Sequence, residues 1–374
     1  MDLSLSTMPC MLEKLIEDIH LNSDDKITCI VADMHMAWAL EVGNKLGIKG
    51  VLFCTAAATL FPLQYNIPKL IQDGIIDSDG FPVTKRKFQI SPSMPAMDTG
   101  LIWWSNLHDS KTEKKIFDYL VHCTQTFNMT EWWLCNTTYE LEPGALSFNP
   151  KLLPVGPLLR SYDNTCVTSR SLGQFWEKDL SCMSWLDQQP HCSVTYVAFG
   201  SFTLFDQNQF KELALGLDLT NRPFLWVVRQ DSNSTNNMTY PNEFIGSKGK
   251  IVSWAPQQKV LRHPAIACFV SHCGWNSTME GLSNGVPFLC WPYFADQFHN
   301  KKYICDELKV GLGMEYDENG HVSRWEIKKK LDQLFSDEQI RERSLQLKEM
   351  AMNNVTEGGG SSENINRFVK WLKS

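Results

Sequence analysis

Short apolar runs alternate with stretches of helical period along nearly the whole chain, and that alternation restricts the fold more than any other feature. Leu12, Leu15, Ile16 and Ile19 recur at helical spacing. Ile27 to Ala32 is then apolar up to Asp33, and Gly50 to Cys54 follows it. A run apolar on both faces reads as a strand covered on both sides. Strands separated by helices read as a parallel α/β sheet. Trp132 to Asn136 continues this first series, and Pro154-Val155-Gly156-Pro157 closes it. A second series begins at Val194 to Phe199, with a helix through Phe210, Leu213, Ala214 and Leu217. Its further strands are Phe224 to Val228, Ile251-Val252, Cys268 to Val270 and Phe288 to Trp291. Leu158 to Leu180 has no period and reads as a linker, and the polar stretch Asp231 to Tyr240 reads as a loop.

The expected organisation is therefore two βα domains around a cleft. Residues 1–157 form the first, 158–180 the linker and 181–360 the second, and a last amphipathic helix within 361–374 carries Ile365, Phe368, Val369 and Leu372. A length of 374 residues fits two domains at roughly 150 residues each. Hydrophobic residues at 43% and charged residues at 21% exclude a disordered or coiled-coil chain. A net charge of −7 without a basic stripe argues against nucleic acid as a partner. No apolar run approaches the roughly 18 residues of a membrane span. Met1 to Pro9 lacks the pattern of a secretory leader, and 12 scattered cysteines read as reduced thiols, so a cytoplasmic protein is expected. A monomer is expected.

Chemistry concentrates between Trp254 and Gln297. A strand ending at Ser271 runs into His272-Cys273-Gly274-Trp275-Asn276-Ser277, where a helix begins. Such a junction turns free N–H groups and the positive helix end toward an anion. Gly274 lets the backbone approach closely, while His272, Asn276 and Ser277 add side-chain donors. The arrangement is a diphosphate cradle without a Walker lysine. Glu280, one turn on, can accept two vicinal hydroxyls of a ribose. Trp254 offers a flat face to a base. Asp296 and Gln297 follow the next strand, at the edge where α/β sheets bind ligands, and suit the hydroxyls of a hexose. Taken singly, each has a plainer reading: a core tryptophan, a helix cap, a structural histidine. Asp77-Ser78-Asp79 fits a metal-binding pattern, but Gly80-Phe81-Pro82 after it favours a turn. No metal is expected. Phe88, Met94, Met97, Trp103, Trp104 and Phe117 suit either an apolar acceptor pocket or plain core.

The segment Trp254-Ala255-Pro256-Gln257 through Asp296-Gln297 closely resembles the signature of the plant family 1 UDP-dependent glycosyltransferases. Trp185-Leu186-Asp187, Phe199-Gly200-Ser201 and Phe224-Leu225-Trp226-Val227-Val228-Arg229 extend the resemblance. It implies the GT-B fold, two Rossmann-like domains facing a cleft, with a UDP-sugar as donor substrate rather than a cofactor. By that resemblance Trp254 stacks on uracil, with Ala255 and Gln257 near the uridine. Glu280 holds the ribose. His272, Gly274, Asn276 and Ser277 hold the diphosphate, helped by Ser201. Trp275, Asp296 and Gln297 contact the sugar, and Gln297 favours glucose. The acceptor would be a small lipophilic phenolic, terpenoid or hormone bearing a hydroxyl or carboxyl.

The family inverts the anomeric carbon. A histidine after its first strand takes the acceptor's proton, and an aspartate holds that histidine. Ile30-Val31-Ala32-Asp33 matches the aspartate strand, so Asp33 is the catalytic residue carried over. The histidine and its strand have no match in this sequence, so the first domain is expected to be incomplete. A missing general base would cost about 10²–10⁴-fold in rate. Weak or absent activity is therefore expected, with a non-catalytic UDP-sugar-binding fragment as the alternative. His35, two residues past Asp33, reads as a surface histidine at a helix start.

Overall fold

The computed structural model describes residues 7–107, 109–159, 178–203, 205–229 and 239–374. Most of the expected linker and most of the stretch 231–240 lie outside the described residues. The chain divides into two compact units. One comprises Met1–Leu158, Phe294–Asp296 and Ala351–Ser374, the other Leu159–Tyr293 and Gln297–Met350.

In the first unit, α1 (Met8–Asn22) precedes β1 (Cys29–Asp33), α2 (Trp38–Lys45) and β2 (Lys49–Cys54). Next come α3 (Leu60–Tyr65), α4 (Ser110–Thr126), β3 (Trp132–Cys135) and β4 (Leu152–Pro154). The four strands pair in the order β1-β2-β3-β4, all parallel. Val51, Leu52 and Cys54 of β2 are at most 1% exposed, which is why this strand reads as an unbroken apolar run. One face is covered by an aromatic stack in which the Phe61 ring lies 4.9 Å from Phe127 and 4.7 Å from Trp133. Burying each such ring is worth roughly 1.5–3 kcal/mol. Ile365 and Phe368 of the last helix, α11 (Gly360–Leu372), pack against Trp132, Leu153 and Val155. Trp371 of that helix donates its indole N–H to Glu131 at 2.9 Å, and Asn364 bonds the Pro154 carbonyl.

In the second unit the order is β5 (Val194–Ala198), α5 (Gln207–Leu219), β6 (Phe224–Val227), β7 (Gly249–Val252), α6 (Gln257–Arg262), β8 (Ile266–Ser271), α7 (Trp275–Asn284) and β9 (Phe288–Cys290). After these come α8 (Gln297–Lys302), β10 (Gly311–Gly313), α9 (Arg324–Ser336) and α10 (Glu338–Asn353). The parallel sheet runs β10-β9-β8-β5-β6-β7. From β5 the chain winds outward through β6 and β7, then returns to lay β8 on the other side of β5. The loops after β5 and β8 therefore diverge. That makes their carboxyl ends a topological switch point, where such sheets bind ligands. Every residue of β5 and β8 is buried.

Candidate functional site

The turn after β8 is built around one imidazole. Ala198, the last residue of β5, pairs in register with Ser271, the last of β8. Gly200 follows with φ +67°, which a side chain tolerates poorly. A Cβ added at Gly200 would lie 2.7 Å from His272 Nε2, and one at Gly274 would lie 2.5 Å from the same atom. The ring is thus sandwiched by two backbones that only glycine leaves thin enough. Burial lowers the His272 pKa to about 4, opposed by the Ala198 carbonyl, so at neutral pH it is an uncharged imidazole. Cys273 takes φ +66° to turn the chain into α7, whose first back-bond runs from Thr278 N–H to the Gly274 carbonyl at 2.9 Å. The N–H groups of Asn276 and Ser277 lie ahead of that bond, at the positive end of the helix. Asn300 of α8 braces the turn by donating to the Cys273 carbonyl at 2.9 Å.

One turn into α7, Glu280 is partly buried, and desolvation raises its pKa against the pull of two amides. Gln257 donates to its Oε2 at 2.7 Å and to Ser277 Oγ at 2.9 Å, while Gln258 donates to its Oε1 at 2.9 Å. Tyr196 of β5 closes the network by donating to Gln257 Oε1 at 3.1 Å. Each carboxylate oxygen keeps an acceptor site for a ligand hydroxyl. Trp254 and Ala255 directly precede α6, and the Trp254 carbonyl accepts from Asp179 N at 2.8 Å.

Arg229, at the end of β6, binds the Ser201 and Thr203 carbonyls and fixes the loop carrying Ser201. Trp275 is only 3% exposed, so its indole is part of the core beneath the turn. Gln297 is buried and its Oε1 accepts from Tyr293 N at 2.9 Å. Asp296 falls with the first unit, whose Asn106 carbonyl accepts from Ala295 N at 3.1 Å. The structure thus links Gln257, Ser277 and Glu280 by direct bonds and sets His272 against Gly274. Gly200, Tyr196 and Gln258 belong to the same cluster and were missed as site residues in the sequence.

In the first unit, Asp33 ends β1. Its Oδ2 accepts from Thr55 Oγ1 at 2.9 Å and its Oδ1 from His35 N at 2.7 Å. His35 precedes α2 in a turn and is half-buried, with Nδ1 3.7 Å from Asp33 and its ring 5.4 Å from Trp103. Its pKa is lowered by burial, with Asp33 and then Gln64 opposing. Gln64 lies in α3 with no exposure, and neither amide atom makes a hydrogen bond of normal geometry. The loop before α3 is held by the buried Glu142, which accepts from Ala58 N and Thr59 N at 3.0 and 2.9 Å.

Phe88, Met94, Met97, Trp104 and Phe117 are buried core, whereas Trp103 stands beside His35. Asp77 forms a turn, its Oδ1 accepting from Asp79 N and Phe81 N. Among the described residues no cluster of three or more His, Cys, Asp or Glu is placed to hold a metal, every cysteine is a free thiol, and no helix is long and apolar enough to cross a membrane.

Comparison with known proteins agrees with this arrangement. A family described as UDP-glucoronosyl and UDP-glucosyl transferase matches residues 165–356. UDP-glycosyltransferase 83A1 of Arabidopsis thaliana is 45% identical over 373 residues, covering 99% of this chain and 78% of its own length. The 7-deoxyloganetic acid glucosyltransferase of Catharanthus roseus is 33% identical, covering 98% and 79%. Among solved structures, a UDP-glucosyltransferase of Polygonum tinctorium capable of glucosylating indoxyl superposes with a TM-score of 0.84 at 28% identity, covering 99% and 81%. UGT2 of Phytolacca americana, complexed with UDP-2fluoro-glucose and pterostilbene, gives 0.82 at 27%, covering 99% and 81%. The switch-point histidine, the amide-held glutamate and this likeness along nearly the whole chain lead to one family: the chain belongs to the UDP-glucoronosyl and UDP-glucosyl transferases and has their GT-B fold.

Proposed function

We propose that this chain transfers glucose from UDP-glucose to a hydroxyl or carboxyl of a small lipophilic acceptor, with inversion, in the cytosol. The observation that carries the reading is the uncharged His272 imidazole clamped between Gly200 and Gly274 at the start of α7. A diphosphate there would meet helix N–H groups, the His272 ring and the Asn276 and Ser277 side chains, with Ser201 on the neighbouring loop. Glu280 would take the ribose hydroxyls, Trp254 and Ala255 would flank the uracil, and Asp296 and Gln297 would hold the sugar. In the reaction the acceptor oxygen bonds to the anomeric carbon as the bond from that carbon to the diphosphate breaks. UDP leaves with the electron pair, and the acceptor's proton passes to a base. Asp33, fixed by Thr55 and the His35 N–H, is the carboxylate that would orient such a base and balance its charge. The relatives' names support glucose and small lipophilic acceptors: one is a 7-deoxyloganetic acid glucosyltransferase, another is complexed with pterostilbene.

The test is incubation with UDP-glucose and a panel of phenolic, terpenoid and carboxylic acceptors, read by mass spectrometry, with UDP binding measured by calorimetry. Conjugates heavier by one hexose are expected. UDP binding without conjugates would leave a donor-binding protein, and absence of both would sink the reading.

A further inference from the structure

The hydrogen bonds behind α7 run in one direction, and the geometry fixes which. Gln257 Nε2 lies 2.7 Å from Glu280 Oε2. An ionised carboxylate only accepts, so the amide must turn its NH2 end toward it. The second hydrogen of that NH2 goes to Ser277 Oγ at 2.9 Å. Gln257 Oε1 is thereby left at the back of the network, where Tyr196 donates to it at 3.1 Å. An amide oxygen has no hydrogen to give, so the phenol is the donor of that bond. Tyr196 is 1% exposed and stacks on Phe269, its register partner across β5 and β8, with ring centroids 5.0 Å apart. Burial raises its pKa well above the usual phenol value, so it keeps the proton it donates.

The direction matters at the front. Ser277 Oγ accepts from the amide, so its own hydrogen points away from Gln257, and among the described residues it meets no acceptor. Ser277 and Glu280 are both partly exposed. Ser277 therefore offers a hydrogen to an oxygen that carries none, such as a phosphate, while Glu280 offers lone pairs to hydroxyls. Turned end for end, the Gln257 amide would set its oxygen against the carboxylate and draw the Ser277 hydrogen inward. Both ligand-facing groups would then be lost at once. A buried phenol needs some partner, and a backbone carbonyl would serve. Here the partner is the rear of an amide whose front holds two residues of the donor site.

We propose that Tyr196 is a positioning residue of the donor site: by holding the Gln257 amide in one orientation, it makes Ser277 a hydrogen donor to the diphosphate and keeps Glu280 an acceptor for the ribose. This deepens the glucosyltransferase reading and rests on it for the identity of the ligand. Tyr196 touches no ligand and acts only through Gln257.

The experiment compares the full chain with Tyr196→Phe, Gln257→Met and Ser277→Ala, and with Tyr196→Phe combined with each of the other two. Calorimetry reads UDP affinity, turnover of UDP-glucose with 4-methylumbelliferone reads KM and kcat, and thermal unfolding reads each unliganded protein. Tyr196→Phe keeps the ring and its stack and should weaken UDP about fivefold, the worth of one hydrogen bond. The loss should fall on the KM for UDP-glucose more than on kcat. In the Gln257→Met background the same change should add less than about twofold, and in the Ser277→Ala background it should shrink to about twofold. The full loss persisting in either background would overturn the proposal, because Tyr196 would then act by another route. A Phe variant that melts lower yet binds UDP like wild type would make the hydroxyl structural and overturn it too. UDP binding without transfer would sink the enzyme reading, while the two cycles, read on UDP alone, would still decide Tyr196. A wild type that binds no UDP would overturn both.

Discussion

Glu280 in the second unit is partly buried and Gln64 in the first wholly so, and their polar atoms are treated in different ways. Glu280 has an amide on each carboxylate oxygen, and those amides are anchored in turn by Ser277 and Tyr196. Gln64 has no such network, only the His35 ring beside it. A network satisfied by its own side chains holds one geometry before any ligand arrives, which suits a ligand shared across a family. A single amide–imidazole pairing leaves more freedom than such a network. On the proposed reading, the contrast places pre-organisation on the donor side.

The comparison can be pressed first through acid stability. Burial lowers both His272 and His299 of the second unit to about 4, against 6.5 in the unfolded chain. Above pH 6.5 neither state binds the proton and nothing changes. Between 6.5 and 4 the unfolded chain takes up protons that the folded chain refuses, so stability falls as pH falls. Each histidine contributes at most roughly 3 kcal/mol to that loss. Denaturant unfolding at steps from pH 7 to 4 should show it, and His299→Phe should flatten the dependence. A flat wild-type profile would mean that the rings are not held neutral.

Next in size is the glycine clamp. Gly274 has φ −60°, so alanine fits its backbone, and the three atoms nearest to an added Cβ all belong to His272. Gly274→Ala should push the imidazole aside and cost on the order of a hundredfold in transfer, the usual penalty for a misplacement near 1 Å. Adding His272→Ala should relieve the clash without restoring activity. The kinetics would show this as non-additive losses, and additive ones would break the clamp argument. Glu280→Gln should weaken UDP about tenfold in calorimetry, because an amide facing Gln257 and Gln258 loses charge-assisted bonds. An unchanged UDP affinity would remove Glu280 from the donor site.

What could be read from the sequence follows the range of the interactions. β5 and β8 were visible because buried parallel strands are continuous apolar runs. The proposed donor turn was visible because Ser271 to Ser277 is local, a strand end, a glycine and a helix start in seven consecutive positions. The clamp on His272 needs Gly200, which reaches it only because β8 lies beside β5, and strand order is not written in either segment. Tyr196 looked like one more apolar residue of a strand, and its hydroxyl matters only through Gln257. Gln64 did leave a local signal, an amide inside Leu60-Phe61-Pro62-Leu63-Gln64-Tyr65. That signal is a single polar residue, and nothing local to it shows that it is buried. His35 read as a surface residue because its burial is set by Trp103, Tyr119 and Gln64, all distant in sequence. Conversely Trp275 looked available to a sugar, but its indole is committed to the core, so a contact from this position would come from the backbone.

The smallest expected effect is also the sharpest probe of pre-organisation. Gln258 needs no contact with a ligand to matter: its amide bonds Glu280 Oε1 at 2.9 Å, and Gln257 holds the other oxygen. Gln258→Met keeps the length of the side chain and removes the amide donor. Burial already raises the Glu280 pKa, and losing an amide that opposes that rise moves it further up. UDP affinity should therefore fall about threefold near neutral pH, the worth of a modest positioning bond. The loss should widen as the pH is lowered, since protonated Glu280 gives up acceptor sites for the ribose. Titrating wild type and variant with UDP at pH 7.5 and 5.5 separates the possibilities. A larger gap at pH 5.5 means that Gln258 works through the carboxylate's charge, whereas an equal gap means that it only fixes the rotamer. No gap at either pH would show that Gln257 alone orders Glu280, and the contrast with Gln64 would then rest on one amide rather than two.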